Sequence, residues 1–391
     1  MAAPRSPERM TLPSPAKAAV LGHLPRWGAE PLALLEEGAE LARASGQDVF
    51  ALWLGRPAVV GFSPDWNRTL LTDLHTFRSR GSFSGLVPHL AGGVILSDAP
   101  EHAPRRRELN PGFDRTQVSR LMDAMQAACP DIPREPFDAL SWADRAVLRM
   151  LNAAYFDSDF DAAVLHAYLA PLRRGFPAPM LPNPLVRRRF DAELSRLAHL
   201  RREEPRPDLL SALLNVDDGL TEARISLAAA HDTTTHALAY ALWFTAKYPQ
   251  WHAPEHHPAL LKEVLRLYPP GWMGSRQVAQ DTRWNGIPIR KGTLALYSPY
   301  LSGRDPQRWP HAADFRPERW TRPPPAWAYL PFGGGGRTCL GLHLAQGLIL
   351  TTLKGVPPLR ARWGHEKAHP GLTLGPRGPL WVQAVGDSLN V

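Results

Sequence analysis

Apolar residues recur along most of this chain at three- and four-residue spacing, the period of helices, and only short stretches alternate as strands do. The spacing predicts a helix over 31–45, with Leu32, Leu34, Leu35 and Leu41 on one side. Residues 49–54, the turn Gly55-Arg56-Pro57 and residues 58–62 read as strand, turn and strand. Helical patterns fill roughly 114–130, 140–172, 185–203, 207–215, 221–248, 257–268 and 341–354, with strand-like pieces at 286–297 and near the C-terminus. The expected fold class is mainly α with small β-sheets (α+β), in one domain over 1–391 that opens with an irregular segment, 1–30.

The stretch 221–248 is apolar on nearly every face, which predicts a helix buried through the core. Its centre nevertheless holds His231-Asp232-Thr233-Thr234-Thr235-His236. Buried carboxylates and hydroxyls cost energy unless they are paired or used, and mid-helix threonines bond back to the preceding turn.

Composition adds three points. The 41 prolines are about twice the usual share, and they cluster as rigid coil between helical patterns. The net charge of +8 and pI near 9.8 come from spread-out basic residues with no accompanying motif, so no nucleic-acid partner is expected. With two cysteines, no signal core and no apolar run long enough to span a bilayer, a soluble cytoplasmic monomer is expected. Cys129 reads as an ordinary helix-face residue.

The other cysteine carries chemistry. The segment Phe332-Gly333-Gly334-Gly335-Gly336-Arg337-Thr338-Cys339-Leu340-Gly341 places it behind four glycines and an arginine, just ahead of the apolar run Leu342 to Leu350. A thiolate at a helix start gains from the dipole and from unpaired N–H groups, which predicts a lowered pKa. Glycines let backbone approach a flat ligand, and an arginine offers a fork for a carboxylate. Thiolate, flat macrocycle and carboxylates together point to haem held by an axial cysteine.

The spacing Phe-x-x-Gly-x-Arg-x-Cys-x-Gly, met by Phe332, Gly335, Arg337, Cys339 and Gly341, resembles the signature of the cytochrome P-450 haem-thiolate monooxygenases. The resemblance implies that family's fold, with haem b (iron protoporphyrin IX) between the long central helix and the cysteine loop, and Cys339 as axial iron ligand. Ala229-Ala230-His231-Asp232-Thr233-Thr234 resembles the oxygen-activation stretch, although Ala230 stands where glycine is usual. It implies room for dioxygen beside Ala229 and a proton relay through Asp232 and Thr233. Asp98 to Arg107 resembles the segment whose histidine and arginine, here His102 and Arg106, hold haem propionates, with Arg276 and Arg337 as further propionate arginines. Taken alone, the same segment reads equally as a solvated basic helix start.

Glu263-Val264-Leu265-Arg266 taken alone reads as an exposed i,i+3 ion pair. Followed by Phe315-Arg316-Pro317-Glu318-Arg319-Trp320, it resembles the family's Glu-x-x-Arg, implying a buried triad of Glu263, Arg266 and Arg319, with Trp320 where phenylalanine is common. A zinc site is not expected: His231 and His236 are five apart and share no helix face, while His252, His256 and His257 read as solvated loop histidines.

The implied reaction inserts one oxygen atom from O2 into a C–H bond of a hydrophobic substrate, using electrons from a ferredoxin with its reductase or from a flavoprotein. Residues 265–272, 298–300 and the short link 248–260 resemble the compact bacterial carotenoid-ring hydroxylases, which implies hydroxylation of a carotenoid β-ring. Trp272, Met273 and Gly274 are the expected pocket residues, and they suit a fatty acid or terpenoid as well. Competing functions are a peroxygenase of the same fold, which Asp232-Thr233 disfavours, a haem-based sensor or binding protein, and a nucleic-acid binder. Prolines and arginines interleaved through 172–190 are expected to form a non-helical lip with peripheral membrane contact, and Arg105 and Arg107 a basic patch for an acidic electron donor.

Overall fold

The helical periods become helices in the computed structural model, which describes residues 12–173 and 183–385. The central helix, Gly219–Lys247, is the axis of the fold. Its run of alanines favours helix and lets neighbours approach closely. Glu222 in the first turn suits the positive end of the dipole, and Pro249, just past the C-cap Tyr248, stops the helix. Against it pack Ala139–Phe156, His257–Leu267 and Leu342–Gly355, forming one large apolar core.

A five-stranded sheet lies to one side, in the order Val49–Trp53, Pro57–Gly61, Leu294–Tyr297, Gly274–Val278, Phe77–Arg78. The first two strands form the expected hairpin, and the second runs parallel to Leu294–Tyr297. The helix Pro31–Ala44 covers this sheet through Leu34, Leu35 and Ala39. Leu41, expected on the same side, instead faces solvent. Four short strands close the C-terminal part: Leu359–Trp363, Ala368–Pro370, Leu374–Pro376 and Trp381–Ala384.

The pattern read as one helix over 140–172 is two, Ala139–Phe156 and Ala162–Leu169. Asp157 and Ser158 take positive φ, Asn152 bonds both backbone groups of Phe160, and Asp161 caps the second helix. Arg201 and Arg206, reaching from distant sequence, pair with the acids of this break. Of the expected lip, 174–182 lies outside the described residues. From Pro184 the chain is helical, so Arg187, Arg188 and Arg189 belong to a helix rather than to a proline-broken loop. Among the described residues no helix is long and apolar enough to cross a membrane.

Candidate active site

The cysteine loop is shaped by its glycines. Gly333 and Gly335 have φ of 69° and 57°, and a Cβ on Gly335 would sit 2.8 Å from the Leu71 carbonyl oxygen. The Cys339 N–H donates to the Phe332 carbonyl at 2.7 Å, closing the loop, and Gly341 caps the helix that follows. Cys339 lies deep in the protein yet keeps open surface, because it faces a cavity of about 390 Å³ between this loop and the central helix. Burial pushes its thiol pKa up, against the partial opposition of the Gly341 N–H and the Arg106 charge. The lowered pKa expected from the helix start is therefore not found: the N–H contact is present, but desolvation outweighs it.

Across the cavity, Ala229, Ala230 and Thr233 form the wall contributed by the central helix, and Phe332 and Gly341 line the cysteine side. The Thr233 hydroxyl donates to the Ala229 carbonyl at 2.8 Å, leaving its lone pairs for the cavity. Asp232, one residue earlier on the helix, faces elsewhere. It borders a second, more polar cavity of about 470 Å³, which also meets Asp144, His166, His236 and Thr373. There the Thr373 hydroxyl donates to the Asp232 carboxylate and lies 2.8 Å from His236 Nδ1. The expected relay pair is thus split between two cavities by the turn of the helix.

The four expected propionate residues converge on the rim of the first cavity. His102 is buried, and its pKa is lowered to about 4, first by burial and then by Arg337, Arg106 and Arg276. Burial and the neighbouring Arg276 likewise lower Arg337 to about 10. Arg337 Nη2 reaches Asp98 at 3.2 Å, but its Nε and Nη1, and Nε of Arg276, are buried without a partner among the described residues. Asp98 is also held by the N–H groups of Ser79 and Arg80. One carboxylate therefore faces three guanidiniums, and the unpaired donors call for further anions. The two propionates of a haem would meet that demand, so the residues present fit the group.

Met273 and Gly274 line the cavity as expected, but Trp272 does not. It stacks on Trp27 at 5.9 Å and donates to the Gly371 carbonyl, so it belongs to the core beneath the sheet. Gly274 is required by close approach, since a Cβ would lie 2.1 Å from the Tyr297 ring.

Behind the cysteine loop, Glu263, Arg266 and Arg319 meet as the resemblance implied, not as an exposed pair: Glu263 is 0% and Arg266 1% exposed. Arg266 makes a two-pronged contact with Glu263 at 2.9 and 2.7 Å, Arg319 joins at 3.1 Å, and the Trp320 indole N–H donates at 3.0 Å. The last bond gives the unusual Trp320 a role phenylalanine could not fill. His257, expected in a solvated loop, is instead buried in the first turn of His257–Leu267, bonded to the His252 carbonyl at 2.7 Å. Arg105 is not free for an electron donor, because it pairs with Glu222 at 2.7 Å. Sequence reasoning missed Asp98, Glu222 and Thr373. Only Asp98 had a local signal, its place at the head of the segment containing His102.

Comparison with known proteins agrees with this geometry. The family model Cytochrome P450 matches residues 257–353, from the ion-pair helix through the cysteine loop. Cyclooctatin synthase of Streptomyces melanosporofaciens is 26% identical, covering 86% of this chain and 87% of its own. Cyclooctat-9-en-7-ol 5-monooxygenase of the same organism is 28% identical, covering 94% and 92%. The crystal structure of the cytochrome P450DA heme domain superposes with a TM-score of 0.76 over 95% of this chain and 97% of that one, at 23% identity, and so shares the fold. The chain therefore shares the cytochrome P450 fold and, over the matched region and along most of its length, is similar to cytochrome P450 monooxygenases.

Proposed function

We propose that the chain hydroxylates a neutral isoprenoid, with Cys339 as the residue that would hold the haem iron. Haem, when bound, supplies the iron at which O2 is activated, and the balance is O2 and substrate C–H plus two electrons and two protons giving C–OH and water. His102, Arg106, Arg276 and Arg337 orient the group by its carboxylates. Ala229 and Ala230 keep the opposite wall low. Thr233 holds a water or a proton at Oγ1 on the cavity side. Asp232 takes protons from the polar cavity it shares with His236 and Thr373, one residue behind Thr233. Electrons come from a ferredoxin or flavoprotein.

The observation that carries the substrate class is the charge of the cavity wall. Its cationic side chains are three arginines at the rim, Arg106, Arg276 and Arg337, and away from them the charged side chain among the described residues is an acid, Glu222. A fatty acid would find no cation for its carboxylate there, whereas Val94, Ile95, Ile225 and Met273 suit a hydrocarbon skeleton. The two relatives are named for cyclooctatin and for an unsaturated alcohol, which supports a terpenoid skeleton. A carotenoid ring, the substrate implied by the sequence resemblance, is an isoprenoid end group of the same chemistry. A binding-spectrum screen of the haem-loaded protein tests the proposal: terpenoids, and carotenoids among them, are expected to shift the Soret band on binding, and fatty acids are not. Fatty acids binding as tightly as the best terpenoid would overturn it.

A further inference from the structure

The acid in an otherwise apolar substrate wall needs an explanation. Glu222 is 2% exposed and lines the Cys339 cavity from the first turn of the central helix. Its Oε1 accepts from the Val94 N–H at 2.8 Å and from Arg105 Nη2 at 2.7 Å. Those two bonds tie the helix to the segment Val94–Leu96, and one oxygen suffices for both. The other oxygen, Oε2, has no hydrogen-bond partner among the described residues. It lies beside Gly93, where a Cβ would come within 3.3 Å of it and within 2.5 Å of Ile225 Cδ1. Glycine at this position lets Ile225, itself part of the cavity wall, pack beside the carboxylate.

Resting on the substrate reading above, we propose that Glu222 Oε2 is a specificity-determining acceptor for a hydroxyl already present on the isoprenoid, at the end away from the carbon being oxidised. The substrate is then an alcohol, and this enzyme follows a reaction that installs oxygen on the hydrocarbon. The geometry sets the molecule's span. Glu222 precedes Thr233 by three helical turns, roughly 16 Å along the axis at the α-helical rise. A hydroxyl at Glu222 and a reacting carbon under Thr233 thus require a skeleton of diterpenoid length. Burial pushes the Glu222 pKa up, against the opposition of the Val94 N–H and Arg105; in its ionised form the carboxylate only accepts, which disfavours a ketone or ether in the same place, since neither has a proton to donate.

The test is spectral titration of the haem-loaded protein at pH 8 with geranylgeraniol, its methyl ether and the corresponding hydrocarbon. One charge-assisted hydrogen bond predicts about tenfold tighter binding of the alcohol than of either analogue. Glu222→Gln keeps an acceptor for Val94 and presents an amide to the cavity, and it should shrink that ratio to below about twofold while hydrocarbon binding stays within about twofold. Equal binding of alcohol, ether and hydrocarbon to the unaltered protein overturns the hydroxyl contact but leaves the isoprenoid reading standing. Binding of none of the three, with fatty acids bound, overturns both. Because the ligand series needs no variant, the result holds even if Glu222→Gln folds poorly.

Discussion

Replacing Glu263 by alanine should strongly destabilise the protein behind the cysteine loop. Its carboxylate accepts two bonds from Arg266, one from the Arg316 N–H, one from Arg319 and one from the Trp320 indole, at 2.7–3.1 Å. With the carboxylate gone, the Arg266 guanidinium stays buried and loses its counter-charge, a change that costs about 3–5 kcal/mol in comparable sites. The carbonyls of Gly303, Ala312 and Asp314 still accept from Arg266, which places the expected loss in the lower half of that range. For a chain of this length, an unfolding entropy of about 2.1 cal/mol/K per residue converts this loss to a fall in Tm of roughly 4–5 °C. Trp320→Phe removes one indole bond and should cost about half as much. Melting followed by circular dichroism, at matched haem loading, measures both. A shift under about 1 °C for Glu263→Ala would refute the view that this cluster locks the coil ahead of Cys339.

Arg337→Leu removes two unpartnered guanidinium nitrogens from the cavity rim and should weaken haem retention by at least about tenfold, read as transfer to apomyoglobin; unchanged retention contradicts the propionate assignment. Thr233→Ala should leave the haem spectrum intact but lower the product formed per electron pair consumed, and full coupling would remove Thr233 from the proton path. In the haem-free protein His102 titrates near 4, below its ordinary value of 6.5, so the unfolded chain binds the proton first. Stability present above pH 6.5 should therefore be lost as pH falls towards 4, and His102→Asn should flatten that slope in acid titrations followed by fluorescence.

What the sequence made legible was whatever depends on local spacing. The apolar circumference of 221–248 foretold the buried central helix, and the glycine-rich run ahead of Cys339 foretold a loop opening on a cavity. Spacing also placed His102 and Arg106 on one helix. What failed depended on distant partners. Asp157 to Asp161 interrupt an apolar pattern that looks continuous, because Arg201 and Arg206 return to pair there. Asp232 and Thr233 are neighbours in sequence, yet a helix rotates consecutive side chains by about 100°, and only the second cavity shows where the acid points. Trp272 has the sequence position of a pocket residue, yet Trp27, from the N-terminal segment, stacks on it and draws it into the core. Glu222 has no motif at all. It is visible only because Val94 and Arg105 converge on one of its oxygens.

The central role falls to Cys339 Sγ as a ligand of haem iron. The decisive measurement is the absorption spectrum of the reduced, carbon-monoxide-bound protein, with Cys339→Ser alongside. The unaltered protein should show the strongly red-shifted Soret band of thiolate ligation. The serine variant should still bind haem through its propionate arginines but lose that band. Absence of the band from fully haem-loaded protein, or its persistence in Cys339→Ser, would contradict the assignment.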